Sequence, residues 1–358
     1  LQFHRRGAGT WLVDQIAVDD WDPLAAALTG PQWVLHAASQ DLPGLAEVGL
    51  YPSSLFDTEL AGRLLNLQRV GLSAMTEQYL DVALAKSHSA ADWSRRPLPQ
   101  AWLTYAALDV ELLLELRELL IDDLADLGRL GWAEQEFEYV RSAPPPAPQP
   151  ARWRRIKGLK ARSPHARAVA RELWLARDDL ARVMDRTPTK ILPDQVIAAA
   201  VATIPATYAD FAALPGVDRQ PVDRRARWWA AIERAKALAA EDCPPSREPS
   251  DEPPAPRSWD RIDATLAGRY ERVRTALTDL SESLAVPREN LIAPRVVRDA
   301  VWRLAGGADA AQTPPAGVVD TIAVLTSLGA RRWQIDYVAP VIAAAMDTTA
   351  VGPEPTGE

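Results

Sequence analysis

The sequence predicts a mixed α/β domain over residues 1–140, followed by two small all-helical domains over 151–240 and 257–346. Three observations carry this. Short apolar runs alternate with amphipathic stretches of helical period only in the first part. Two Pro-rich stretches, 142–150 (SAPPPAPQP) and 244–256 (PPSREPSDEPPAP), can join neither helix nor sheet ladder and read as semi-rigid linkers. The two later parts echo each other at a spacing of about 100 residues. ILPDQVIAAAVA (Ile191–Ala202) parallels LIAPRVVRDAVW (Leu291–Trp302), and Trp153 and Trp259 each follow a Pro-rich stretch. One helical unit present twice is the economical explanation.

In order along the chain, LQFHRR, a Gly-Ala-Gly turn and TWLVD predict a hairpin. DDWDPLAAALTG opens with acids and closes on Gly, as a helix does. QWVLHA reads as a buried strand, and QDLPGLAEVG as the helix that follows it. FDTELAGRLLN predicts a helix starting near Asp57, which reads as its cap. GLSAMTEQYLDV predicts another helix, and KSHSAADWSRRPL an irregular, partly basic loop. From Pro99 one long amphipathic helix is expected through Tyr105, Asp109 and LLLELRELLIDDL. The tail 347–358 is polar and Pro-containing, and is expected to be disordered. A chain that opens on a hairpin strand without an initiator Met is expected to have native residues upstream.

Composition narrows the function classes. The 47% hydrophobic content is ample for packed cores. One cysteine, Cys243, excludes an intrachain disulfide framework, which fits a reducing compartment and makes the cytoplasm the expected location. No apolar run approaches membrane-spanning length, so no membrane partner is expected. Net charge is −8, but residues 151–240 hold 18 Lys/Arg against 9 Asp/Glu. A basic module in an acidic chain is the footprint of one polyanion-binding part, or of a solvated Arg-rich surface.

Two short segments carry the chemistry. HAASQDL (His36–Leu42) places Asp41 just past a strand, where open α/β sheets hold ligands. YAALDV (Tyr105–Val110) places Tyr105 and Asp109 four apart, on one helical face. Two carboxylates and a phenol suit a site that holds a divalent cation and orients a water. Taken singly, Asp41 reads first as a helix cap and the Tyr/Asp pair as a surface hydrogen bond, and only together do they point to a site. His36 on its apolar strand reads first as a packed histidine. Trp93, Arg95 and Arg96 precede the Tyr105 helix, where Trp can stack on a base and Arg meet phosphate. A Trp filling a loop core is the alternative there, and Trp228 and Trp229 read as core.

In these motifs residues 1–140 resemble the 3'-5' exonuclease domain of bacterial ribonuclease D. HAASQDL matches its second exonuclease motif and YAALDV its third, of the Y-x-x-x-D type. LFDTELAGRLLN, VGLSAMTEQYL and the run Lys86–Leu98 follow the family in order and spacing. Residues 151–240 resemble the helicase-and-RNase-D C-terminal (HRDC) domain in WRRIKGL, the run around Trp174 and ILPD, and 257–346 resembles a diverged second copy. The resemblance implies an RNase H-like fold. It implies stepwise hydrolysis at RNA 3' ends with two divalent ions, Mg or Mn. It makes Asp41 and Asp109 metal ligands and Tyr105 the residue that orients the attacking water. It implies RNA partners, namely tRNA precursors and other structured RNA, and a monomeric enzyme. The family's first motif, an Asp-x-Glu on the first strand, has no counterpart in this sequence. It would lie before the strand that LQF resembles, so that strand is expected to be missing and the chain, as it stands, to be a poor nuclease. Two other functions remain open at this point: a nucleic-acid-binding protein with a degenerate nuclease fold, and a DNA-directed 3'-5' exonuclease.

Overall fold

The computed structural model describes residues 1–84, 91–144, 152–247, 252–307 and 316–347. The basic start of the loop at Lys86, residues 145–151 and 248–251 in or next to the Pro-rich stretches, 308–315 and the tail from 348 lie outside the described residues. The chain divides into two compact units. One holds the described residues of 1–146 together with those of 252–358, and the other those of 147–251.

The first unit opens with an antiparallel hairpin, β1 (Gln2–Arg5) and β2 (Gly9–Leu12), in register Phe3 opposite Trp11. Gly7 and Gly9 take φ of +81° and +84°, a region closed to most L residues, and so make the tight turn possible. Helix α1 (Asp22–Leu28) leads to β3 (Gln32–Leu35), then α2 (Ala38–Glu47) and β4 (Ser54–Asp57). β3 and β4 pair in parallel with Leu35 opposite Asp57. The hairpin and the parallel pair are separate two-stranded sheets. α3 (Thr58–Leu64) and α4 (Leu72–Leu80) follow.

The single helix expected from Pro99 is two, α5 (Gln100–Glu111) and α6 (Leu113–Asp126), broken at Leu112. Three successive leucines, Leu112 to Leu114, cannot share one helical stripe. The break lets α6 bury Leu113, Leu116, Leu120 and Leu124, while α5 packs against the hairpin. α7 (Leu130–Arg141) closes this half by packing on β4.

The other half of the unit begins with a 3-10 turn (Pro256–Arg261). It continues through α13 (Ala264–Ser283), α14 (Arg288–Leu291), α15 (Pro294–Leu304), α16 (Val318–Ser327) and α17 (Arg332–Met346). It shares one continuous hydrophobic core with the α/β half. At the seam Trp132 of α7 stacks on Trp333 of α17, centroids 4.8 Å apart and planes 10° apart. The buried Glu136 carboxylate accepts from Arg331 Nε at 2.7 Å and Trp333 Nε1 at 2.8 Å. The Arg129 side chain donates to the carbonyls of Leu64, Leu284 and Ala285.

The second unit repeats that helical plan: a 3-10 turn (Arg152–Arg155), α8 (Pro164–Val183), α9 (Pro188–Ile191), α10 (Asp194–Thr203), α11 (Tyr208–Ala212) and α12 (Val222–Lys236). α8 and α13 are each 20 residues long, and α12 and α17 each 15. Asp185 and Ala285, 100 positions apart, both take φ of +47° just past the long helix. Trp153 and Trp259 are both buried in their 3-10 turns, and Trp228 is fully buried in α12. The echo in the sequence is thus an echo in structure.

Candidate functional site

The site begins with a corner. β3 ends at Leu35, Ala37 turns into the left-handed region (φ +59°, ψ +49°), and α2 starts at Ala38 with Asp41 in its first turn. One face of α2 then points the same way: Gln40, Asp41, Gly44, Leu45, Glu47 and Val48 all line a cavity of about 840 Å³. That 3-4 spacing is the helical period. Leu35, His36 and Phe3 contribute to the wall, and Asp109 and Val110 of α5 supply another part of it. The two segments singled out in the sequence therefore meet at one cavity.

Among the described residues no Lys or Arg side chain lines the cavity, while Asp41, Glu47 and Asp109 do. Burial pushes the Asp109 carboxyl up to about 6, with the Tyr105 hydrogen bond acting in the opposite sense. Asp41 is also raised, first by burial and then by the charge of Asp57. Asp41 is exposed by surface area, yet it sits on a concave wall where protein replaces bulk water, and that placement explains the shift. Tyr105 is raised as well, by burial first and then by Asp109, so at neutral pH it stays a phenol able to donate to the Asp109 carboxylate. Two carboxylates facing one cavity, each disfavoured as a bare anion, are the donor set of a hard divalent cation. Among the described residues no group of three or more His, Cys, Asp or Glu is placed to hold a metal ion. The pair alone could supply only part of a ligand set, with water or phosphate oxygens left to complete it.

The remaining residues singled out in the sequence fall into two groups. His36 lines the cavity, with Nδ1 2.9 Å from Thr58 Oγ1, and burial lowers its pKa, so it is neutral at pH 7. Trp93, Arg95 and Arg96 are not on the cavity wall. Trp93 packs in an aromatic cluster with Trp102 and Tyr105, centroids 5.4 and 6.4 Å away. Arg96 binds Asp14 through Nε and Nη2, both at 2.7 Å. Arg95 is exposed.

The sequence also contains the string Asp57-Thr58-Glu59, which has Asp-x-Glu spacing at the end of β4. Neither acid lines the cavity. Glu59 pairs with Arg63 at 2.6 Å, and Asp57 is buried among backbone N–H groups. Among the wall residues not singled out in the sequence, Gln40 and Glu47 could have been found by extending Asp41's helical face along α2.

Comparison with known proteins places the chain among nucleases. Residues 1–125 match the 3'-5' exonuclease family model, 166–232 the HRDC domain, and 252–346 the 3' to 5' exonuclease C-terminal domain. Ribonuclease D of Pseudomonas paraeruginosa is 32% identical over 213 residues, 58% of this chain and 56% of that protein. Ribonuclease D of Granulibacter bethesdensis is 29% identical over 284 residues, 76% of this chain and 71% of that protein. A solved structure of a Bifidobacterium adolescentis protein covers 96% of this chain and 86% of its own, at 35% identity and TM-score 0.83. Ribonuclease D of Escherichia coli shares the fold at TM-score 0.65 and 22% identity, covering 95% of this chain and 86% of its own. The chain spans about half the length of the first curated relatives it matches. With a 3'-5' exonuclease domain, an HRDC domain and an exonuclease C-terminal domain in that order, the chain belongs to the ribonuclease D family.

Proposed function

We propose that this chain is the body of a 3'-5' exoribonuclease that removes nucleotides from RNA 3' ends by metal-assisted phosphodiester hydrolysis, with turnover low in the chain as it stands because the first-strand Asp-x-Glu has no counterpart in it. One observation carries the reading: Asp41 and Asp109, from distant parts of the sequence, line one cavity that no Lys or Arg among the described residues enters, with the Tyr105 phenol bonded to Asp109. In this reading Asp41 and Asp109 would supply part of the ligand set for the divalent ions, two of Mg or Mn as the family resemblance implies, and the Asp-x-Glu that has no counterpart here would supply the rest. When bound there, such ions supply Lewis-acid polarisation of the phosphate oxygens. Tyr105 is not a ligand. Its hydroxyl, fixed by Asp109 four residues on, holds the attacking water in line. His36, neutral and braced by Thr58, presents its free ring nitrogen to substrate.

RNA is gripped by the basic HRDC unit. Arg152, Arg155, Lys157, Lys160 and Arg162 are exposed along its entry segment and engage no side-chain acceptor among the described residues. The substrates implied by the resemblance are 3' ends of tRNA precursors and other structured RNAs. The protein works as a monomer in the reducing cytoplasm, where the free, buried Cys243 stays reduced. No helix among the described residues is long and apolar enough to cross a membrane.

The test is a 5'-labelled RNA and a DNA of matched sequence, each incubated with the protein and Mg²⁺ or Mn²⁺. A ladder that shortens from the 3' end on RNA, and is lost in Asp109→Asn, is expected. Faster shortening of the DNA would move the reading to a DNA-directed exonuclease. RNA bound but left intact would reduce the protein to a nucleic-acid-binding member of the family.

A further inference from the structure

The buried carboxylate of Asp57 lies outside the cavity, and the role of capping α3 leaves half of its contacts unexplained. Its Oδ1 accepts from Glu59 N at 2.9 Å and Leu60 N at 3.2 Å, which is the cap. The same oxygen also accepts from Ala37 N at 3.1 Å, and Oδ2 accepts from Ala38 N at 2.8 Å. These last two donors belong to the start of α2, twenty and nineteen positions away in sequence. One side chain, 2% exposed, thus ties together the N-termini of two helices.

The tie acts where the backbone least favours staying put. Ala37 is held at φ +59° without being glycine, a conformation that L residues keep only when their surroundings impose it. From Ala38 onward α2 runs straight to Asp41 in its first turn, so the direction of that turn sets where the Asp41 carboxylate points. Thr58 adds a second brace on the same corner, its Oγ1 donating to Leu35 O at 3.3 Å and lying 2.9 Å from His36 Nδ1. Burial still pushes the Asp57 carboxyl up, and the four N–H donors offset that only in part.

We propose that Asp57 is a positioning residue for the metal ligand Asp41: its carboxylate fixes the Ala37–Ala38 corner and thereby aims Asp41 into the cavity. The inference rests on the nuclease reading of that cavity.

Two substitutions at Asp57 separate positioning from capping. Ser at this position keeps an oxygen for the α3 cap, where Ser and Asp are near-equivalent, but it is too short to reach Ala37 and Ala38. Asn keeps the size and one acceptor, and presents an amide NH₂ to donors where the second oxygen was. Manganese affinity is measured by calorimetry on the full chain, alongside thermal unfolding and hydrolysis of a labelled RNA. For Asp57→Ser we expect Mn²⁺ binding weakened about tenfold or more, the range seen when a residue behind a ligand is removed. Turnover should fall with RNA KM nearly unchanged, and excess Mn²⁺ should restore it in part. Asp57→Asn should show the same pattern more mildly, and it decides the matter if the Ser variant does not fold. Wild-type Mn²⁺ affinity in a folded variant would overturn the inference and leave the nuclease reading intact. Failure of the wild-type chain to bind Mn²⁺ would overturn both.

Discussion

Burial pushes the Asp109 carboxyl up to about 6, well above its unfolded value near 4. The native state therefore holds a proton there that the unfolded chain has released. The stability this proton contributes is complete below about pH 4 and is lost as pH rises through about 6. Without metal, Asp109→Asn should thus stabilise the fold at pH 8 and leave it nearly unchanged at pH 4. Because the group is only half-buried, the gain should be about 1 kcal/mol after allowance for solvent screening. Urea denaturation at the two pH values measures it, and a variant less stable at pH 8 would show that Asp109 is structural. Tyr105 should behave differently from its neighbour. Tyr105→Phe removes the water-orienting hydroxyl but no ligand charge, so turnover should fall ~10²–10⁴-fold with Mn²⁺ affinity unchanged. Single-turnover hydrolysis of a labelled RNA at rising Mn²⁺ distinguishes the two. Rescue of Tyr105→Phe by excess metal would contradict its assigned role.

Among the elements, what the sequence shows best is what local pattern controls. The strand QWVLHA, the helix after it and the cap at Asp57 were legible because burial, period and cap chemistry all act within a few residues. The break at Leu112 was not, because an unbroken apolar stretch of helix formers gives no stop signal. Nor was the seam between α7 and α17. Trp132, Gln135 and Glu136 read as one turn of an ordinary amphipathic helix, and their partners lie about two hundred residues away. Asp57 was visible only as a cap, since nothing local marks the second pair of donors it serves. The seam is also where stability is most exposed to a single change. Glu136→Ala would leave the Arg331 guanidinium and the Trp333 indole N–H unpaired in a buried place. That should cost about 2–4 kcal/mol and lower the thermal midpoint of the first unit. A midpoint unchanged within error would mean that the stacked tryptophans alone hold the seam.

Across the whole molecule the two helical repeats have diverged in charge while keeping their plan. Residues 151–240 carry 18 Lys/Arg against 9 acids, whereas 257–346 carry 11 Arg against 10 acids. The near-neutral copy packs on the α/β half through Arg331 and Trp333, and the basic copy forms a unit of its own. RNA affinity should therefore fall steeply with salt, and most of that dependence should belong to the basic copy. Replacing Arg152, Arg155, Lys157, Lys160 and Arg162 with Ala should reduce the log–log salt slope by up to about 3.5, if each meets a phosphate of single-stranded RNA. An unchanged slope would make the basic face mere solvated surface. All of this serves a nuclease only if Asp41 and Asp109 form one cation site, and calorimetric titration of the chain with Mn²⁺ asks that without depending on activity. Wild type should bind, Asp41→Asn and Asp109→Asn should each bind at least ~10-fold more weakly, and the double variant should bind more weakly than either, because both carboxylates serve the same cation. Single variants that bind as wild type does, or a double variant that keeps the affinity of a single one, would contradict a shared site.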